Sequence, residues 1–313
     1  MSTTLETIDT TLRDTTSHAD HLQQTTAAVR VSFNWFGTRR SLSAEQKHQA
    51  ADTFGAEHDT LSAAKKLIDT AHPVWKDITG VRRTIEQYWK SVSLPYPESA
   101  IRLIRQDRIF DFNCRMEELR EELSDASERL NARYDELIGT ARLRLGRLFN
   151  QLDYPQSLRG EFQVRWDYPS VEVPDYLRRL NPQLYREQCE RIRSRFDEAV
   201  RLAEEAFITE LSKLVSHLTD RLSGNEDGRP KVFRDSAVEN LKQFFHRFRE
   251  LNIHSSEDLD RLVDEARDLV QGVRPQQLRE NEFLREHVAT ELTSVQTQLD
   301  RLMQDRPRRS IMR

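Results

Sequence analysis

Few side chains in this sequence are spaced for chemistry. Glu45-Gln-Lys-His48 has the Glu-x-x-His spacing that places two metal ligands on one helical face. A carboxylate-bridged metal site needs that motif repeated on facing helices, and here it occurs once, on a short helix. A single occurrence is expected by chance in a Glu-rich chain, so Glu45 and His48 are expected to face water. The nine histidines, at 18, 21, 48, 58, 72, 217, 246, 254 and 287, form no other ligand spacing. Cys114 and Cys189 are the only cysteines. They make neither a disulfide framework nor a CxxC site, and both are expected as buried structural thiols in a reducing cytosol. The nine glycines are scattered and none builds a phosphate-cradling loop. These patterns point away from an enzyme and imply no cofactor and no metal.

Charge offers a second kind of chemistry. The net charge is −4, so no global basic field favours nucleic acid or an anionic membrane. Forty of the 48 basic residues are arginine, whose planar fork grips carboxylates and phosphates. Arg306, Arg308, Arg309 and Arg313 form a basic tail that could contact nucleic-acid phosphates. Arg186, Arg191, Arg193 and Arg195 form a second cluster, diluted by Glu187 and Glu190. Neither is interleaved with aromatic stacking platforms. No apolar run approaches the ~18 residues of a membrane span, and Met1 to Arg30 lacks a signal-peptide core. A cytoplasmic protein is expected.

The elements that would position such residues are mainly helices. The composition is 32% charged and 37% hydrophobic with ten prolines, the profile of long amphipathic helices. Ile109, Phe112, Met116, Leu119, Leu123, Ala126, Leu130, Tyr134, Leu137, Ala141, Leu145 and Leu148 recur every three or four residues. This predicts a rod over 100–149, roughly 70 Å long at about 1.5 Å per residue. Similar stripes predict long helices over 58–92, kinked or broken at His72 by Pro73, and over 175–223. Packed antiparallel, the three give a mainly all-α, elongated helical bundle or coiled coil. Two stretches alternate instead: Val29–Phe36 and 161–168, with Phe33, Trp35, Phe162, Val164 and Trp166 on one face. They are expected to pair as a two-stranded β element at one end of the rod. Ser43 and Gln46 resemble a capping box opening a short helix.

Tyr88-Trp89, Leu94-Pro-Tyr-Pro97, Asp153-Tyr-Pro155 and the aromatic strand through Trp166 resemble a family of uncharacterised helical proteins encoded by phages and other mobile elements. In that family a strand followed by Gly-Arg-Arg precedes long helices separated by a proline-containing turn. Gly37-Thr-Arg-Arg40 is similar but not identical. The resemblance covers about 30–220. It implies an accessory protein acting beside a hexameric ATPase and a metal-binding adhesion-type partner, and it brings no catalytic residues.

The sequence therefore divides into an N-terminal arm, strand and short helix (1–57), a long-helix bundle (58–223), a linker (224–230), a C-terminal helical segment (231–304) and the basic tail (305–313). In the C-terminal segment Phe233, Phe244, Phe245 and Phe248 crowd one helix, and Leu284, Val288, Leu292, Val295 and Leu299 stripe another. Such faces must be buried, either against their own neighbours or against another chain. These residues are thus candidates for a partner-binding or self-association surface. The expected function is a non-catalytic assembly or adaptor protein working through protein contacts. The alternative is a nucleic-acid-binding accessory factor using its arginines.

Overall fold

The computed structural model describes residues 17–57, 60–223 and 235–304. The basic tail, the linker at 224–230 and Phe233 lie outside the described residues. In chain order, α1 (His18–Thr25) runs into β1 (Thr26–Asn34), followed by β2 (Arg39–Ser41), α2 (Ala44–Phe54) and β3 (Ala64–Lys66). Next come α3 (Pro73–Ser91), β4 (Ser93–Pro95), β5 (Ile101–Arg105), α4 (Ile109–Ala132), α5 (Tyr134–Leu145) and β6 (Gln163–Asp167). The rest is helical: α6 (Asp175–Leu180), α7 (Pro182–Leu222), α8 (Ser236–Leu251), α9 (Glu257–Val270), α10 (Pro275–Glu280) and α11 (Glu282–Gln304). The chain is mainly α, with small antiparallel ladders.

Contacts divide it into two compact units that interleave along the sequence, which is not the serial division expected. One unit holds 1–28, 92–106 and 169–313, and the other holds 29–91 and 107–168. We call them the first and second unit.

The expected strands pair, but within a four-stranded sheet of order β4-β5-β1-β6 rather than as a two-stranded element. β1 and β6 are antiparallel, with Phe33 opposite Val164 and Val31 opposite Trp166. The Trp166 indole and the Tyr168 hydroxyl both donate to Asn113 Oδ1 near the start of α4, at 2.7 and 2.8 Å. Trp35 meets Phe162 edge-on at 4.9 Å, and the Arg82 guanidinium lies over the rings of Phe33 and Trp35. α3 packs on α4, burying Trp75, Ile78 and Ile85 against the stripe from Phe112 to Leu130. α2 opens on the Ser43–Gln46 capping box and closes on Gly55, whose φ of +65° suits a residue without Cβ.

Three expected long helices are shorter than their stripes. Ile101–Arg105 is a strand rather than the start of the rod, because Leu103 pairs with Leu94 and Ile101 and Ile104 are buried there. Pairing on both edges, with β4 in a hairpin and with β1, overrides the helical spacing. At Arg133 the amide bonds to the Leu130 carbonyl, a tightened i−3 bond that separates α4 from α5 at the four-residue stutter of the stripe. The buried face nonetheless continues through Tyr134, Leu137 and Ala141. Pro73 does not interrupt a helix but begins one, since its missing N–H is harmless at the first helical position. Residues 64–66, expected to be helical, form β3 instead. Pro182 likewise begins α7, with Asn181 as its cap, so 175–223 is two helices.

The first unit is built around α7, which at 41 residues is about 60 Å long. α11, α8, α9 and α1 pack against it, so of the expected three-helix packing only the α3–α4 pair forms, and α7 takes other helices as its partners. Phe207, Phe244 and Phe248 form an aromatic centre with ring distances of 5.0–6.2 Å. In the β4–β5 hairpin the Arg102 guanidinium donates to the Ser93 hydroxyl and carbonyl at 2.8 and 2.6 Å. Burial, reinforced by nearby Arg247, lowers its pKa to about 10.

Candidate docking surface

The residues expected to form a partner surface on the C-terminal helices are core. Phe244, Phe245 and Phe248 on α8, and Val288, Leu292, Val295 and Leu299 on α11, are all buried, and Leu284 is half-buried. Their apolar faces are consumed inside the first unit, so of the two burials expected the internal one holds and they are not available as the candidate partner-binding surface. Arg306, Arg308, Arg309 and Arg313 lie outside the described residues. The second arginine cluster disperses, with Arg193 beside Asp20 at 3.7 Å and Arg195 beside Glu98 at 3.3 Å. The thiols are not buried as expected: Cys114 is exposed, off the α4 stripe, and Cys189 is half-buried because the part of α7 before Phe196 has no buried residue.

A different surface gathers in the second unit from three separated segments. The β2–β3 ribbon carries Arg39 opposite Lys66 and Arg40 opposite Lys65. Like charges facing across a ladder repel, so this ribbon needs anions nearby. Asp153 supplies one, sitting 2.6 Å from Lys65 Nζ and 3.6 Å from Arg40 Nε. Lys65 also donates to the Leu148 carbonyl at 2.7 Å, and the Tyr154 hydroxyl donates to the Leu67 carbonyl at 2.9 Å. These bonds fasten the ribbon to the turns that follow α5. Arg39 and Lys66 are exposed on the remaining rung.

The end of α5 adds Arg142 and Arg144, with Arg147 just beyond it. Cations in a last helical turn are locally favourable, because they face the negative end of the helix dipole. Arg142 donates to Gln151 and covers the Phe149 ring at 4.9 Å, while Phe149 stacks on Tyr154. Arg144 pairs with Asp69 at 2.8 Å. The Ala71 amide and Arg144 hold the Asp69 carboxyl below its ordinary range. Across segments 37–42, 63–69 and 141–154, seven cations thus face two acids, Asp69 and Asp153, and both acids are already engaged.

No known family, curated protein or solved structure matches this chain. The site must be read from its own geometry.

Two leucines decide that reading. Leu143 is 86% exposed and Leu152 is 90% exposed, and they flank the Arg142–Gln151 contact. Burying each would contribute about 1.5–3 kcal/mol. A surface of arginines around exposed leucines suits an acidic partner bearing apolar side chains. The sequence displayed its parts: the doublets Arg39-Arg40 and Lys65-Lys66, and an acid-free run from Ile138 to Leu152. Their assembly depends on contacts between segments up to about a hundred residues apart.

One further constellation lies in the first unit, in an open groove of about 490 Å³ between α8 and α9. There His254 Nδ1 lies 2.9 Å from Asp260 Oδ2, and Asn252 donates to Asp260 Oδ1 at 2.5 Å. A carboxylate can orient a histidine for base catalysis. The adjacent hydroxyl, Ser255, instead donates to Glu204. The cluster braces the left-handed conformation of His254 (φ +51°) in the turn between the two helices.

Proposed function

We propose that this chain is a non-catalytic adaptor that docks an acidic protein partner on the basic, leucine-bearing surface of its second unit. The observation that carries this reading is the exposure of Leu143 and Leu152 within a field of arginines whose neighbouring acids are internally engaged. Arginine gives such a surface bidentate grip on carboxylates, and the leucines supply the apolar anchor that charge alone lacks. In this reading the long helices of each unit, packed as elongated bundles, are the stiff body that presents the surface. The resemblance of Gly37-Thr-Arg-Arg40 and the proline turns to helical proteins of mobile elements suggests an accessory role beside an ATPase complex, in the cytoplasm. Among the described residues no helix is long and apolar enough to cross a membrane.

Affinity purification followed by crosslinking mass spectrometry tests this. Crosslinks to a partner should concentrate at the exposed Lys66, and the partner should be lost from the Leu143→Asp/Arg147→Glu variant while the chain remains folded. Partners recovered equally well by that variant would refute the site.

The second reading, a nucleic-acid accessory factor, draws support from the like-charge rungs of the β2–β3 ribbon. It requires phosphate contacts, so affinity for a labelled single-stranded or duplex oligonucleotide should fall steeply with salt.

A further inference from the structure

The first unit carries a surface of opposite character at the start of α11. Phe283 is 82% exposed, and Glu280, Glu282 and Glu286 surround it. An open recess of about 680 Å³ is lined by these glutamates, Phe283 and Leu284. Asn281 caps α11 by accepting from the Leu284 amide at 3.0 Å, which fixes the turn that holds Phe283 outward. One neighbouring cation, Arg285, lies 3.6 Å from Glu282, while its own side chain is largely buried. The other, Arg279, is paired with Asp235. The result is an apolar ring in an acidic rim beside a hollow.

We propose that the occupant of the basic, leucine-bearing surface is a second copy of this chain, which inserts the acidic Phe283 knob. This rests on the docking surface proposed above and names its partner. Complementarity is the argument. One site presents Arg142, Arg144 and Arg147 around two exposed leucines, and the other presents three glutamates around an exposed phenylalanine and a recess able to take a leucine. Opposite charge on the two surfaces steers the pair together and sets register, while burial of the phenylalanine against leucine supplies the apolar anchor. The two surfaces belong to different parts of the sequence, so the contact is heterologous. Each copy that docks leaves one knob and one basic surface free, and growth continues until a ring closes.

Sedimentation velocity and light scattering on the whole chain test this. Wild type should associate into a dimer or a larger ring as concentration rises, and added salt should reverse it. Leu143→Asp/Arg147→Glu and Phe283→Ser/Glu286→Arg alter only exposed positions, and each variant alone should stay monomeric with unchanged circular dichroism. Mixed in equal amounts, they retain one intact knob and one intact basic surface between them. The mixture should therefore form a one-to-one dimer and stop there. A wild-type chain that remains monomeric at the highest concentration would overturn the proposal, as would association that survives in either variant alone or a mixture that stays monomeric. Failure here is distinguishable from failure of the adaptor reading. If the Phe283→Ser/Glu286→Arg variant still captures another protein through Leu143 and Arg147 while wild type never self-associates, the surface stands and its occupant is not a second copy. A labelled oligonucleotide displaced by the Leu143→Asp/Arg147→Glu change, with wild type monomeric, would assign the surface to nucleic acid and overturn the proposal equally.

Discussion

Tyr134 shows how a helical stripe places a polar atom in a core. It continues the apolar face of α4 into α5, so its ring is buried, and its hydroxyl has no hydrogen-bond partner among the described residues. Burial, with smaller contributions from nearby Tyr154, Glu161 and Asp135, raises its pKa from 10 to about 12. Below pH 10 the phenol is neutral whether the chain is folded or not, and its contribution is fully present. Between pH 10 and about 12 only the unfolded phenol ionises, so stability falls as pH rises through that window. Tyr134→Phe should lessen this alkaline loss and be neutral or stabilising near neutrality, since it removes an unsatisfied buried hydroxyl. Urea unfolding of both proteins near pH 8 and near pH 11 measures it. A variant that loses stability at both values would mean the hydroxyl has a partner. The stripe made Tyr134 legible as core, but not the environment of its oxygen.

At the level of elements, proline and asparagine decided where helices begin. Asn181 sits between α6 and α7, accepting from the Leu184 amide at 3.0 Å, while its own amide donates to the Leu177 carbonyl at 2.8 Å. It closes one helix and opens the next, and Pro182 disfavours the α conformation at 181. Asn181→Ala should cost about 1 kcal/mol, the usual loss of a good N-cap. Thermal melting of the first unit should register this as a lower midpoint without loss of helical signal; an unchanged midpoint would show the cap to be redundant. The cap at Ser43 was readable from sequence because the signal is local. β5 was not. Ile101-Arg-Leu-Ile-Arg105 suits a helix by spacing and a strand by branching, and only the facing β4 chooses between them.

For the whole molecule, the stripe of α11 left two burials open, within the chain or against another, and the fold takes the first. Its stripe requires burial, and α7 and α9 provide it within the first unit. Replacing Val288, Leu292 and Val295 with Glu would force three carboxylates into an apolar core and should abolish cooperative unfolding of that unit. Near-UV circular dichroism would show the loss of fixed packing. Intact folding with lost association would instead return α11 to the role of a docking face.

The sequence by itself determined the mainly helical class, the stripes that become core, the pairing of the two alternating stretches, and the capped start of α2. Each depends on periodicity or on groups within one turn, where the interacting atoms are neighbours along the chain. Tertiary structure alone decided that 92–106 and 169–304 share one unit while 29–91 and 107–168 form the other. It also brought Arg39, Lys66 and Arg147 to one surface and left Leu143 and Leu152 in solvent beside them. A leucine's periodicity states that it is apolar. Whether it ends in a core or on a surface depends on which distant segment arrives to cover it, and that is settled by packing across tens of residues.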